Sequence, residues 1–386
     1  RFNRKINERH ISLMTSSNDK KTIKIAMFAG EKSGDELGAP LMHFLKVNHP
    51  NIEFIGVGGS RMISEGLDSF FEMSEISVMG IIEPLVNLRR LLKLRKSLKE
   101  FLSRENPDIF IGIDSPDFNI PIAKFLKNKI DIPTVQYVSP SVWAWRKGRI
   151  KTMEKCIDHV ITLFPFEKKA YLDSTIDVSY IGHPLAYSIE MTEEDVNTKT
   201  TNTIALLPGS RKSEILSMGD LMLKVAKHLK KINSELTFYL PLADANHLSL
   251  FNEEIEDYIH VTIGDSKEVL KNSEIALITS GTATLESALS YTPCVTLYKT
   301  NFLSYLIIKP LLMIKNFSLP NLILEEEFLP ELLQSKVTDK NILNAVHEIT
   351  DNGIGHYFNK FDQIKSTLQA GGPAKAAEEV IKLIKK

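Results

Sequence analysis

At 386 residues, with 43% hydrophobic and 25% charged residues, the chain is long enough for two domains and has the composition of a soluble globular protein. A formal net charge of −1 excludes the strong basic excess of a nucleic-acid binder. Cys156 and Cys294, far apart and in apolar surroundings, offer neither metal-ligand spacing nor a disulfide framework, which suits a reducing compartment.

Arg1 to Lys20 is polar and lacks the apolar core of a secretory signal. Glu8 and Asp19 interrupt the basic character of a transit peptide, and Met14 is an alternative start. From Thr22 short apolar runs alternate with amphipathic stretches. Strands are expected at Ile23–Ala29, Ile52–Val57, Ile109–Ile113, Thr134–Val138, His159–Phe164 and Val178–Ile181. A polar, Thr-rich stretch follows, and the pattern restarts at Ile204–Leu207, Leu236–Leu240, His260–Ile263, Ile275–Thr279 and Cys294–Tyr298. This alternation predicts an α/β chain of two Rossmann-like, doubly wound parallel-sheet domains facing a central cleft. The expected divisions are an extension at 1–21, a first domain at 22–185, a linker at 186–203 and a second domain at 204–364. A helical segment at 365–386 is expected to pack back toward the first domain.

The loop after the first strand, Ala29-Gly30-Glu31-Lys32-Ser33-Gly34-Asp35, lets the backbone approach a ligand and opens a helix with free N–H groups. It lacks the Gly-Lys-Ser/Thr ending of a phosphate-binding Walker loop. In Gly56-Val57-Gly58-Gly59-Ser60-Arg61 an arginine replaces the third glycine of a dinucleotide fingerprint, so tight turning is the better reading. Val78 to Pro84 runs into a basic amphipathic helix, Leu85 to Arg104, which suits either an anionic membrane surface or a core with a solvated basic face.

Ile109 to Ile113 reads as a strand buried on both faces and ending at Asp114. Asp114 then lies at a carboxyl edge, either as a general base or as an Asx-turn cap before Ser115-Pro116. Trp143 and Trp145, the two tryptophans, flank Ala144 after a Pro-containing loop, as a substrate pocket or a buried aromatic corner. His183 in Gly182-His183-Pro184 reads as a hinge element or a substrate neighbour. Gly209-Ser210-Arg211 and Ser280-Gly281-Thr282-Ala283 each follow a strand. Their amides, with the Arg211 guanidinium, suit a nucleotide diphosphate, and Glu286 is placed to accept ribose hydroxyls. Phe302 to Ile314 is apolar but too short to span a bilayer, and it contains Lys309-Pro310.

Several blocks together resemble the lipid-A-disaccharide synthase family, inverting glycosyltransferases of the GT-B fold. They are Ala29-Gly30-Glu31-x-Ser33-Gly34-Asp35, Val78-Met79-Gly80, Gly112-Ile113-Asp114-x-Pro116-Asp117-Phe118-Asn119 and Tyr137 to Arg146. Gly182-His183-Pro184, Leu206 to Arg211, Ser280 to Glu286 and Ser318 to Leu322 continue the series in family order. No catalytic block departs from the pattern. The resemblance implies transfer of diacylglucosamine from UDP-2,3-diacylglucosamine to 2,3-diacylglucosamine 1-phosphate, giving a β-1′,6-linked disaccharide and UDP. It implies no cofactor and no metal, and this chain has no Asp-x-Asp motif.

It further implies Asp114 as base with Arg211 at the leaving group. Glu31, Ser33, Gly34, Asp35, Asp117 and Asn119 fall on the acceptor side. Gly209, Ser210, Arg211, Ser280, Gly281, Thr282, Ala283, Glu286 and Asn321 fall on the UDP side. Ile82, Leu85, Leu88, Leu91 and Leu92 are implied to touch the cytoplasmic face of the inner membrane. A homodimer stays open. The rival readings are a UDP-sugar epimerase of the same fold and a non-enzymatic nucleotide-sugar-binding protein.

Overall fold

The computed structural model describes residues 22–76, 88–196, 199–300 and 314–385. The expected extension at 1–21, the Val78-Met79-Gly80 block, Ile82, Leu85 and most of the Phe302–Ile314 run lie outside the described residues.

The isoleucine-rich runs form strands because parallel strands covered on both faces can be apolar at every position. The first sheet contains β1 (Ile23–Ala29), β2 (Ile52–Val57), β3 (Leu67–Ser69), β4 (Ile109–Ile113), β5 (Thr134–Tyr137), β6 (His159–Thr162) and β7 (Asp177–Tyr180). Its order is β3-β2-β1-β4-β5-β6-β7. The second contains β8 (Thr203–Leu207), β9 (Thr237–Leu242), β10 (Ile259–Ile263), β11 (Ile275–Thr279), β12 (Cys294–Tyr298) and β13 (Glu331–Leu333), in the order β10-β9-β8-β11-β12-β13. β1 pairs in parallel with β2 and β4, and β8 with β9 and β11. All five residues of β4 are buried, as are those of β8 and β11. Burying each of their large aliphatic side chains contributes about 1.5–3 kcal/mol.

In both sheets the strand order reverses beside the first strand, between β1 and β4 and between β8 and β11. Those are the topological switch points, where loops from neighbouring strand ends diverge and leave room for a ligand. The chain divides into two compact units. One holds residues up to Tyr137 with Lys155–His159 and Ala376–Lys386; the other holds Val138–Glu154 and Val160–Lys375.

In the first unit the basic helix spans Leu88–Glu105. Leu98 and Leu102 are buried, and Phe101 stacks on Phe70 at 4.4 Å. Arg95 lies over Phe118 and Lys99 over Phe125, at 5.9 and 5.5 Å, so these cations cover apolar surface. Earlier in the helix Leu88 is 48% and Leu92 44% exposed, with Arg89, Arg90 and Lys93 exposed beside them. Its last turns pack as a core helix does; its first turns leave leucines in water.

In the second unit, the polar stretch expected as a linker contains short helices at Leu185–Ser188 and Glu193–Val196. Lys199 just beyond is buried, and its Nζ donates to the carbonyls of Leu270, Lys271 and Ser273 and to Thr292 Oγ1. The three carbonyls lie where the helix Ser266–Asn272 ends, and burial pulls the Lys199 ammonium down to about 7.

Candidate active site

At the β1/β4 switch point, two consecutive left-handed residues end β4: Asp114 with φ 51° and Ser115 with φ 33°. Such conformations cost about 1–2 kcal/mol for L-residues, and the proline after Ser115 disfavours its conformation further. The surrounding polar groups hold the turn in place. Asp114 N–H donates to the Tyr137 carbonyl at 2.8 Å. The Asp114 carbonyl accepts from Asn119 Nδ2 and Gln136 Nε2, each at 2.8 Å. The helix Pro116–Ile130 starts without a side-chain cap, and the Asp114 carboxylate instead meets Ser33 Oγ at 3.4 Å. A strained residue fixed by its own backbone partners leaves its side chain free for another task.

The expected acceptor-side residues divide in two. Glu31, Ser33 and Asp117 are exposed, the first two where the helix Lys32–Asn48 begins, Asp117 one residue into Pro116–Ile130. Asp35, Asn119 and Gly34 are buried, and each has a structural task in the local turn. Asp35 Oδ1 accepts from Gly59 N–H and Met62 N–H, both at 2.9 Å, and Oδ2 from Arg61 N–H at 3.1 Å. It thereby satisfies the start of the helix Ser60–Ser64, whose amides have no partner of their own. Asn119 props the Asp114 carbonyl, and only a glycine at 112 admits it, since a Cβ there would lie 2.6 Å from Asn119 Cγ. Gly34 packs against Ala29, where a Cβ on the glycine would come within 3.1 Å of the alanine methyl.

At the β8/β11 switch point, Thr279 Oγ1 donates to the Pro208 carbonyl at 2.8 Å and ties the two strand ends together. Gly209 takes φ 114°, a conformation open to glycine. The Gly209-Ser210-Arg211 loop is already engaged by a carboxylate. Glu214 Oε2 accepts from Ser210 N–H at 3.0 Å and Arg211 N–H at 3.1 Å, while Oε1 accepts from Arg211 Nη1 at 2.8 Å. Of the loop amides expected to face a phosphate, those of Ser210 and Arg211 meet a glutamate of the next helix turn in this structure. The Arg211 side chain itself is 76% exposed.

The neighbouring loop is more open. Gly281 and Thr282 are exposed at the start of the helix Thr282–Leu289, whose first amides lack intrahelical partners. Ser280 Oγ donates to the Phe317 carbonyl at 2.9 Å, and Ala283 and Glu286 are half-buried. Asn321 differs from expectation. It is buried, donating to the Leu329 carbonyl and Glu331 Oε1 and accepting from Phe328 and Leu329 N–H. Its amide shapes the turn into β13 and has no capacity left for a ligand.

The tryptophan loop lies in the second unit. Val138 at its start takes φ 76°, an outlier for a β-branched residue. Trp143 packs edge-on to Phe166 at 4.7 Å, Phe166 stacks on Phe164 at 5.4 Å, and Phe164 on His183 at 5.2 Å. Burial holds His183 down at about 4, so the imidazole is neutral, and its Nδ1 accepts from Leu185 N–H at 3.2 Å. Beneath the stack is Glu167, a buried carboxyl that motif reading missed. Burial pushes it up to about 7, against the N–H groups of Phe164, Leu163 and the Trp143 indole, which it accepts.

Between its ordinary 4.5 and about 7, folded Glu167 keeps a proton that the unfolded chain releases. Its contribution to stability therefore falls as pH rises through that window, by on the order of 3 kcal/mol in full. Against Glu167→Gln in urea melts, wild type should lose ground between pH 5 and pH 8. An equal gap at both values contradicts a titrating Glu167.

Two parallel sheets with this strand order, each with polar loops at its own switch point, define the GT-B class. Solved structures of this fold include the UDP-GlcNAc 2-epimerase of Methanocaldococcus jannaschii, with TM-score 0.60 and 12% identity, covering 94% of this chain and 99% of that one. The glycotransferase of kitacinnamycin aligns with TM-score 0.62 and 14% identity, covering 94% and 99%. Identities this low speak for the fold alone.

The sequence decides within the class. A family model described as lipid-A-disaccharide synthetase matches residues 25–383. The lipid-A-disaccharide synthase of Idiomarina loihiensis is 42% identical over 369 residues, 92% of this chain and 97% of that protein. That of Alcanivorax borkumensis is 40% identical over 374 residues, 93% and 97%. The chain belongs to the lipid-A-disaccharide synthase family, and it is a glycosyltransferase.

Proposed function

We propose that the chain transfers diacylglucosamine from UDP-2,3-diacylglucosamine to the 6-hydroxyl of 2,3-diacylglucosamine 1-phosphate, forming the β-1′,6-linked disaccharide 1-phosphate and UDP. The observation that carries this reading is family identity of about 40% along nearly the whole chain. Asp114 takes the proton of the acceptor hydroxyl as its oxygen attacks the anomeric carbon. The bond to the UDP oxygen breaks in the same displacement, and the electron pair leaves with the diphosphate, so the configuration inverts. Arg211 and the helix start at Gly281-Thr282 meet the charge that develops on the diphosphate. Asp35, Asn119 and Asn321 hold these loops in shape. UDP release that depends on the lipid acceptor supports transfer. Steady release without acceptor, or interconversion of the sugar nucleotide alone, points to the epimerase.

Both proposed substrates carry acyl chains, so the enzyme should work at the cytoplasmic surface of the inner membrane. Among the described residues no helix is long and apolar enough to cross a membrane. Exposed Leu88 and Leu92 beside Arg89, Arg90 and Lys93 suit shallow contact with anionic lipid. Replacing both leucines with serine should lower retention on anionic liposomes severalfold while leaving thermal melting and UDP affinity unchanged. Undiminished retention removes this helix from the membrane contact. High salt should release the wild type in part, because exposed charges are screened.

A further inference from the structure

The second unit contains a cavity of about 630 Å³ that none of the roles above uses. Val142, Trp143, Phe166, Ala170, Ile314 and Leu322 give it an apolar wall. Lys147, Lys169 and Lys315 also line it, with Glu325 and Glu327. Its size falls within the range of small-molecule sites.

The wall is preformed. Trp143 is fixed on one side by its indole hydrogen bond to buried Glu167 and on the other by Phe166, itself stacked on Phe164. A large aromatic surface held in one orientation loses little freedom when a ligand covers it. The cations are exposed by contrast. Lys169 pairs with Glu325 and Lys147 with Asp173 at 3.8 Å, and every one of these four side chains is more than half exposed. Such exposed pairs are worth little in water and exchange readily for a stronger anion. An apolar wall beside a rim of three lysines, Asn316 and two glutamates, one of them paired with Lys169, leaves a net positive rim and matches a molecule that is apolar at one end and anionic at the other.

We propose that this cavity seats an anionic amphiphile, namely one acyl chain of the phosphorylated acyl-sugar acceptor, with its phosphate at the lysine rim. The identity of the amphiphile rests on the lipid-substrate reading above. The chemistry of the cavity does not.

Trp143 and Trp145 are the two tryptophans of the chain, so intrinsic fluorescence reports on this loop directly. The full chain is titrated with dodecyl phosphate below its micelle concentration, with dodecyl maltoside and with inorganic phosphate. Dodecyl phosphate should shift the emission saturably, at least tenfold more tightly than the maltoside, and inorganic phosphate should give no shift. Ala170→Phe, which fills the cavity, and Lys315→Glu, which reverses a rim charge, should each weaken dodecyl phosphate at least tenfold with UDP affinity unchanged. If Ala170→Phe fails to melt cooperatively, Lys315→Glu alone decides. Equal binding of the two detergents, a shift with inorganic phosphate, or wild-type titrations in the folded variants would overturn the proposal.

Transfer assays separate this from the reaction itself. Ala170→Phe should raise the KM for the acceptor and leave that for UDP-sugar alone. Disaccharide formation with an unchanged acceptor KM removes the cavity and leaves the reaction standing. Saturable dodecyl phosphate binding without any disaccharide does the reverse.

Discussion

Asp114→Asn should lower the single-turnover rate by about two to four orders of magnitude, with little change in affinity for either substrate. Asparagine is the informative replacement because it removes the base and keeps the shape. It also tolerates the left-handed conformation at φ 51°, which alanine adopts poorly. The three backbone bonds that hold the turn survive the change, since they come from the main chain of Asp114 and from Asn119 and Gln136. Asp117 is the natural competitor. It is exposed, and its carbonyl accepts from Arg95 Nη1 at 3.2 Å. Asp117→Asn should therefore cost far less. Near-normal chemistry in Asp114→Asn with loss in Asp117→Asn transfers the base role to Asp117.

Arg211→Ala should weaken UDP at least about tenfold and slow transfer, because a charge-assisted bond to a diphosphate is worth about 1.5–3 kcal/mol. The lower end is expected, since the guanidinium is largely in water. Glu214→Gln supplies the contrast. Glu214 occupies the same amides and guanidinium that a diphosphate needs, so it competes with that anion. Neutralising it should not weaken UDP and should tighten it if displacement accompanies binding. Calorimetry showing unchanged UDP affinity in Arg211→Ala removes Arg211 from the site. Loss of UDP binding in Glu214→Gln shows instead that the carboxylate is needed to shape the loop.

Most strands were legible because both-face burial writes itself as a mostly apolar run, with polar residues such as Lys24 and Glu53 near the strand starts. Ile23–Ala29, Ile52–Val57, Ile109–Ile113, Ile275–Thr279 and Cys294–Tyr298 have the same limits in sequence and structure. Leu67–Ser69 and Glu331–Leu333 were not legible, since three residues at a sheet edge carry no pattern. The site was legible in place but not in detail. Glycine-rich loops after strands mark where a ligand can approach, and those loops do fall at the two switch points. Sequence cannot say which polar side chain in a loop serves the backbone. Asp35, Asn119 and Asn321 carry the residue types of ligand contacts, yet each satisfies buried main-chain groups. Glu214 and Glu167 each turn back to accept the N–H three residues earlier, of Arg211 and Phe164, but the Ser or Thr that marks such a turn in sequence is absent at both positions, so neither was legible.

The central claim is glycosyl transfer between two acylated sugars. Its most direct test is to incubate the purified chain with UDP-2,3-diacylglucosamine and 2,3-diacylglucosamine 1-phosphate and to analyse the lipid products by mass spectrometry and NMR. The account predicts a tetraacyl disaccharide 1-phosphate with a β-1′,6 linkage and one UDP released per disaccharide. Recovery of both sugars unjoined, or of an epimerised UDP-sugar in place of the disaccharide, would contradict it.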